Sequence, residues 1–239
     1  MFVSSLSRSI QRAVVRTRCH SLRAITSFRD RTEGVAAVEF ALILPIIAVM
    51  MIGSVEMSQA VTVDRRTSQV ASSVGDLVAR VESGITEGEV LDIAKIGSWL
   101  MKPFDGTKIK IKLSLVSIPL CPGGGTCPTG DPSPSDANIK TRWKCEYDGA
   151  AAAVINCTCQ NTAYTMPAAG LIKYGDATVV SDIEYSYTPL VFDYFMKAAY
   201  PSAGGVYKLT EKLHLKTRGT VMDLQNNDKT VKCTSLPTT

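Results

Sequence analysis

Residues 35–55 read VAAVEFALILPIIAVMMIGSV, 21 positions with a single charge, Glu39. At a rise of 1.5 Å per residue, about 20 helical residues cross a hydrocarbon core of roughly 30 Å. The apolar side chains cover every face of such a helix rather than one stripe, the pattern of a helix meant for lipid and not for the surface of a soluble core. Polar residues return at Glu56, Ser58, Gln59, Asp64, Arg65 and Arg66. The stretch reads as one membrane span.

Charge orients it. Residues 1–34 hold seven arginines (Arg8, Arg12, Arg16, Arg18, Arg23, Arg29, Arg31) against Asp30 and Glu33, so +5 of the chain's formal +4 lies there and the other 205 residues sum to −1. Only Arg65 and Arg66 follow the span at close range, and the positive-inside rule places the N-terminus in the cytoplasm. A main domain without basic excess gives no support to nucleic-acid binding. A cleaved secretory signal fits less well, because its apolar region is normally about 7–15 residues and no small-x-small site ends this one.

Two residues inside the span call for an explanation. A carboxylate such as Glu39 costs several kcal/mol in an apolar medium unless protonated, close to the interface or paired, and residues of this kind usually serve a purpose. Pro45, in mid-span, removes a backbone donor whose acceptor must be satisfied nearby.

The 20 residues from 34 to 53, GVAAVEFALILPIIAVMMIG, resemble the N-terminus of TadE-like proteins, pseudopilins of the tight-adherence (Tad, or Flp) pilus system. Residues 63–80 and 177–192 resemble the post-membrane helix and the late Tyr-x-Pro-Leu strand motif of that family. Two places depart from it: Glu39-Phe40 stands where Glu-Tyr is frequent, and LHLKTRG (213–219) where an aromatic-Arg-Pro-Arg-like sequence is frequent. The resemblance implies a basic leader that ends at Gly34, a prepilin peptidase that cuts between Gly34 and Val35, and Glu39 as fifth residue of the mature chain. It also implies assembly contacts made by Glu39, Phe40 and Pro45, with Glu39 attracting the new ammonium of an adjacent subunit. The implied partners are the peptidase, other pilus subunits, the pilus assembly platform and the lipid bilayer.

Beyond the span, Val70, Val74, Leu77, Val78 and Val81 recur at helical spacing, which predicts an amphipathic continuation of the membrane helix, a rod of up to about 45 residues and roughly 70 Å, ended by Gly84. The stripe either packs on the chain's own domain or also meets neighbouring subunits. Thr86 and Glu89 form a capping box for a helix running to about Leu100 with Ile93, Ile96 and Leu100 on its apolar face, and Pro103 beyond it. Residues 108–118 alternate, with Ile109, Ile111, Leu113 and Leu115 on one face and Lys108, Lys110, Lys112 and Ser114 on the other, a half-buried strand whose lysines can guard an edge. Further strands are expected at 138–147, 177–188 and 206–218, and PLVFDYFMKAAYP (189–201) reads as a short helix or aromatic edge. The expected whole is an α+β, pilin-like domain with three to four antiparallel strands against the long helix. The organisation is a leader (1–34), transmembrane helix (35–58), stalk helix (59–83) and extracytoplasmic domain (84–239).

Cys121, Cys127, Cys145, Cys157, Cys159 and Cys233 all lie in the C-terminal half, which points to disulfides in an oxidising compartment, here the periplasm. Cys121 and Cys127 bound a Gly/Pro/Ser-rich loop, Cys157 and Cys159 are too close to bridge each other readily, and Cys233 is placed to pin the tail. Six cysteines allow 15 pairings, and spacing does not choose among them. The spacings are not those of a zinc site, and His214 is the only distal histidine, so no metal and no cofactor is expected. The loop glycines lack the Lys-Ser/Thr of a phosphate loop. Asn156-Cys157-Thr158 matches a glycosylation sequon that has no meaning in a bacterial pilus protein. No nucleophile elbow and no His-Glu-x-x-His occurs, and Asp182, Glu184 and Asp193 read as surface charge. The sequence therefore points to a non-enzymatic minor pilin or pseudopilin in the inner membrane. The alternative is an unprocessed, membrane-anchored binding or adhesion module outside any filament.

Overall fold

The computed structural model describes residues 33–121, 123, 126–151, 154–189, 206–219 and 222–235. Most of the basic leader, with Cys19 and His20, lies outside the described residues, as do Asp193 and nearly all of the segment 189–201. The chain divides into two compact units, Met1–Val55 and Glu56–Thr239.

Helix α1, Glu33–Ala79, contributes to both units. In the first it presents apolar side chains to the outside all round. In the second the valine stripe finds its cover, with Val63, Val70, Val74 and Val78 completely buried. Each such burial stabilises the fold by about 1.5–3 kcal/mol. The helix stops at Ala79; Gly84 instead serves the turn beyond it, at φ +116, where a Cβ would lie 3.1 Å from the Asp223 carbonyl.

Helix α2, Glu87–Leu100, starts as the capping box requires: Glu89 N–H donates to Thr86 Oγ1 at 3.2 Å, and Thr86 N–H donates to Glu89 Oε2 at 2.8 Å. Its buried residues are Val90, Ala94 and Gly97. Ile96 and Leu100, expected on the inner face, are partly exposed instead. The inner face is set by Gly97, where a Cβ would stand 2.8 Å from both Ile111 and Val74, so that only glycine lets α2 approach α1 and the sheet this closely.

Among the described residues the main sheet has five antiparallel strands, not three to four. They are β2 (Ile109–Ser117), β3 (Lys140–Asp148), β4 (Ile155–Ala163), β5 (Ala177–Tyr187) and β6 (Tyr207–Lys216), in the order β4-β3-β2-β5-β6. The strand not foreseen is β4, INCTCQNTA, whose polar residues give no apolar alternation because it runs along an edge with most of its positions in water. β2 lies at the centre, paired with β3 and β5, so its lysines do not guard an edge. They cross charge ladders on the open face: Glu146, Lys112, Asp182 and Lys212 are successive register partners on β3, β2, β5 and β6, alternating in sign.

The alternation of β2 is reproduced side chain by side chain. Ile109, Ile111, Leu113 and Leu115 join the stalk valines, Val179, Ile183 and Tyr185 in the main core, where Trp143 is fully buried with its indole N–H donating to the Met222 carbonyl at 3.0 Å. Val116 follows Leu115 on the other face by simple alternation, and opposite them Arg142 is an extra residue on β3 between Thr141 and Trp143. This alternation turns Val116 to the other face. There Val116, Ile118, Ile139, Val180, Met166 and Ile172 form a smaller core. A three-stranded sheet, β1 (Ile85–Thr86), β7 (Leu224–Gln225) and β8 (Val231–Cys233) in the order β1-β7-β8, completes the unit.

The structure pairs Cys121 with Cys127, Cys145 with Cys157, and Cys159 with Cys233. Cys145 and Cys157 are direct register partners on β3 and β4, so this bridge clamps the polar edge strand to its neighbour. Cys159–Cys233 closes a separation of 74 residues and brings β8 to β4. There Lys232 Nζ donates to Glu87 Oε1 at 2.5 Å and to the Cys157 carbonyl at 3.1 Å.

Candidate functional site

The first turns of α1 bring together the residues singled out in the sequence. Gly34 and Val35 lie in the described helix Glu33–Ala79. A Cβ added at Gly34 would meet nothing within 4 Å. The packing of the described residues thus makes no use of a glycine here. What glycine does supply is a bare peptide bond to Val35, accessible to an outside agent.

Val35 and Glu39 are separated by four residues, one helical turn, and so lie on one face about 6 Å apart along the axis. Among the described residues Glu39 has no hydrogen-bond or ion-pair partner within the chain. Phe40 beside it is exposed, as are Val38, Leu42, Ile43 and Leu44. Pro45 is inside the helix and leaves the carbonyl of Ala41 without its usual donor. An 18-residue window of this helix has a mean hydropathy of 2.6 with none of it buried, so α1 is long and apolar enough to cross a membrane. Glu39 is thus a lone carboxylate on an apolar wall, able to bind a cationic or donor group presented from within an apolar environment, while the Ala41 carbonyl lies on the opposite face of the helix.

The Glu56–Thr239 unit offers no comparable chemistry among its described residues. No three His, Cys, Asp or Glu side chains cluster as metal ligands there. Asp182 and Glu184 pair with Lys212 at 3.8 Å and Lys208 at 2.9 Å. The Lys208 hydrogen bond holds the Glu184 carboxyl below its ordinary range, and the Lys144 contact does the same for Glu146. Ionised, paired carboxylates of this kind suit a solvated sheet face rather than acid–base work. His214 Nε2 lies 2.8 Å from the Tyr164 hydroxyl; burial, then the Lys212 ammonium, push the imidazole toward its neutral form. A concavity of about 770 Å³ beside Trp99 and Phe104 has Lys102, Asp105 and Tyr147 as its titratable lining.

Trp99 stands outside the buried stripe of α2, exposed on its outer face close to Pro103.

Residues 34–75 match the family described as TadE-like protein. The matched stretch begins at Gly34 and takes in Glu39, Pro45 and most of the stalk part of α1. The matched family points to the Tad pilus system, and the match agrees with membrane anchoring by α1. No curated protein and no solved structure matches the chain.

Proposed function

We propose that the protein is a pseudopilin or minor pilin that assists assembly of a Tad-type pilus after a prepilin peptidase removes the leader between Gly34 and Val35. The observation that carries this reading is the juxtaposition of Gly34, Val35 and Glu39 at the start of an apolar helix, inside the matched TadE-like stretch. Among the described residues, no side chain comes within 4 Å of where a Cβ on Gly34 would stand, which supports an open backbone at that bond.

Cleavage creates an ammonium at Val35. Within one chain it lies a turn away from Glu39; between packed helices, the ammonium of one subunit neutralises the carboxylate of the next. An ion pair surrounded by apolar helices is worth most as a register device, because misaligned subunits leave a charge uncompensated at a cost of roughly 3–5 kcal/mol. The N-terminus before cleavage is cytoplasmic, and the disulfide-bonded unit is periplasmic. Other pilus subunits and the assembly platform are the partners of the span.

N-terminal sequencing of the chain recovered from membranes with an active prepilin peptidase tests the processing step. Val35 as first residue is the expected result, with the leader retained in Gly34→Ala. An intact leader in the unsubstituted protein would favour the second reading, an anchored periplasmic binding or adhesion module that enters no filament.

A further inference from the structure

We propose that the Glu56–Thr239 unit rests on the bilayer itself, through the end of its sheet at which α1 enters, with Trp99 and Tyr207 seated among the lipid headgroups. The proposal rests on the reading of residues 35–55 as a membrane span. It adds a second, peripheral contact between protein and lipid.

Strand register defines that end. Ile109, the first residue of β2, pairs with Tyr185; Lys110 pairs with Asp148; Tyr147 pairs with Ile155; and Tyr187 pairs with Tyr207. The connection from α2 to β2, the turn from β3 to β4 and the start of β6 therefore share one end of the sheet. Arg66 donates to the Leu100 carbonyl at 3.4 Å, which brings the end of α2 to the early part of the stalk. The chain enters the unit at Glu56, and Glu56 is itself buried. The Tyr187 phenol, held above its ordinary range by burial, also feels the Glu56 carboxylate, which puts the entry point at the same end. Glu56 directly follows the last residue of the apolar stretch.

The side chains there suit a headgroup layer. Trp99 is 69% exposed, Tyr207 51% and Val154 67%, and Met57 and Leu100 are exposed as well. Among the described residues of this unit, Trp99 and Tyr207 are the exposed large aromatics. Tryptophan and tyrosine are the residues that collect at membrane interfaces, where the ring meets the acyl boundary and the polar atom stays wet. At this end Lys110 is paired with Asp148 and Lys208 with Glu184, and Asp105 lies beside Lys108, so the attraction rests on the aromatic and apolar side chains rather than on anionic lipid.

The chain's two tryptophans make a direct test, because Trp143 is fully buried and serves as internal reference. The full chain is reconstituted into phosphatidylcholine nanodiscs, with or without bromine on the acyl chains near the glycerol. Emission is compared between the unsubstituted protein and Trp99→Phe, and resistance to alkaline extraction is measured on the same samples. The expected result is a blue-shifted Trp99 component that is lost in brominated lipid and unchanged by salt, while the Trp143 component is untouched. Alkali-resistant protein whose Trp99 emits as in water and is not quenched overturns the lipid contact and leaves the span standing. Trp99 emission that shifts only when a second pilus subunit is added overturns it in favour of a protein partner. Protein released by alkali overturns the span and this contact together.

Discussion

The two parts of α1 share one secondary structure and have opposite surroundings. In the Met1–Val55 unit its valines, leucines and isoleucines face outward on all sides; in the Glu56–Thr239 unit Val70, Val74 and Val78 lie completely beneath the sheet and α2. An all-round apolar surface has to be covered by lipid or by other helices, whereas a stripe is satisfied by one layer of the chain's own domain. The stalk stripe is thus already used by the chain's own domain, whereas the apolar surface of residues 35–55, with Glu39 near its N-terminal end, is left uncovered by the described residues.

Disrupting the folded unit should separate the two parts most clearly. Replacing Cys159 and Cys233 with serine opens the bridge across 74 residues, worth about 4 kcal/mol by loop entropy against roughly 2 kcal/mol for the bridge between Cys121 and Cys127. Chemical denaturation should show a loss in that order, with insertion of the span unaffected; equal losses would contradict the assigned roles. Val74→Ala should cost about 2 kcal/mol, because it vacates a filled position between α1 and the sheet. Val38→Ala in the span should leave the melting of the unit unchanged, and a similar loss from both would erase the contrast.

Acid should weaken the folded unit in a smaller step. His214 has its pKa depressed by burial and by Lys212, so the folded state holds the neutral ring while the unfolded chain takes up a proton more readily. The stabilisation from this group is complete above the unfolded value of about 6.5 and is lost as pH falls through the lower folded value. Denaturation followed between neutral pH and pH 5 should show this decline, and His214→Phe should flatten it. The exposed Lys212–Asp182 pair should matter least, within about 1 kcal/mol and less in high salt, as a double-mutant cycle would measure.

Much of this was legible in the sequence where one local rule dominates. The capping box at Thr86 and Glu89, the inner face of β2 and the apolar continuity of residues 35–55 each follow from spacing alone. β4 was not legible, because its hold on the sheet comes from pairing with β3 and from Cys157 lying opposite Cys145, both long-range facts. For the same reason the lysines of β2 suggested an edge: alternation reports that one face is wet, not how many neighbours a strand has. The inner face of α2 depends on Gly97, a residue with no side chain to announce it. Disulfide pairing lay beyond spacing altogether. The candidate site is the converse case: Gly34, Val35 and Glu39 fall within two helical turns, so sequence order already places them together.

The most direct measurement of the span's role is Glu39→Ala in cells that make the pilus, with membrane insertion, leader removal and piliation scored in parallel. The variant should be inserted and processed as the unsubstituted protein is, yet piliation should be strongly reduced. Normal piliation with an inserted, processed Glu39→Ala chain would contradict the assignment of that carboxylate to assembly.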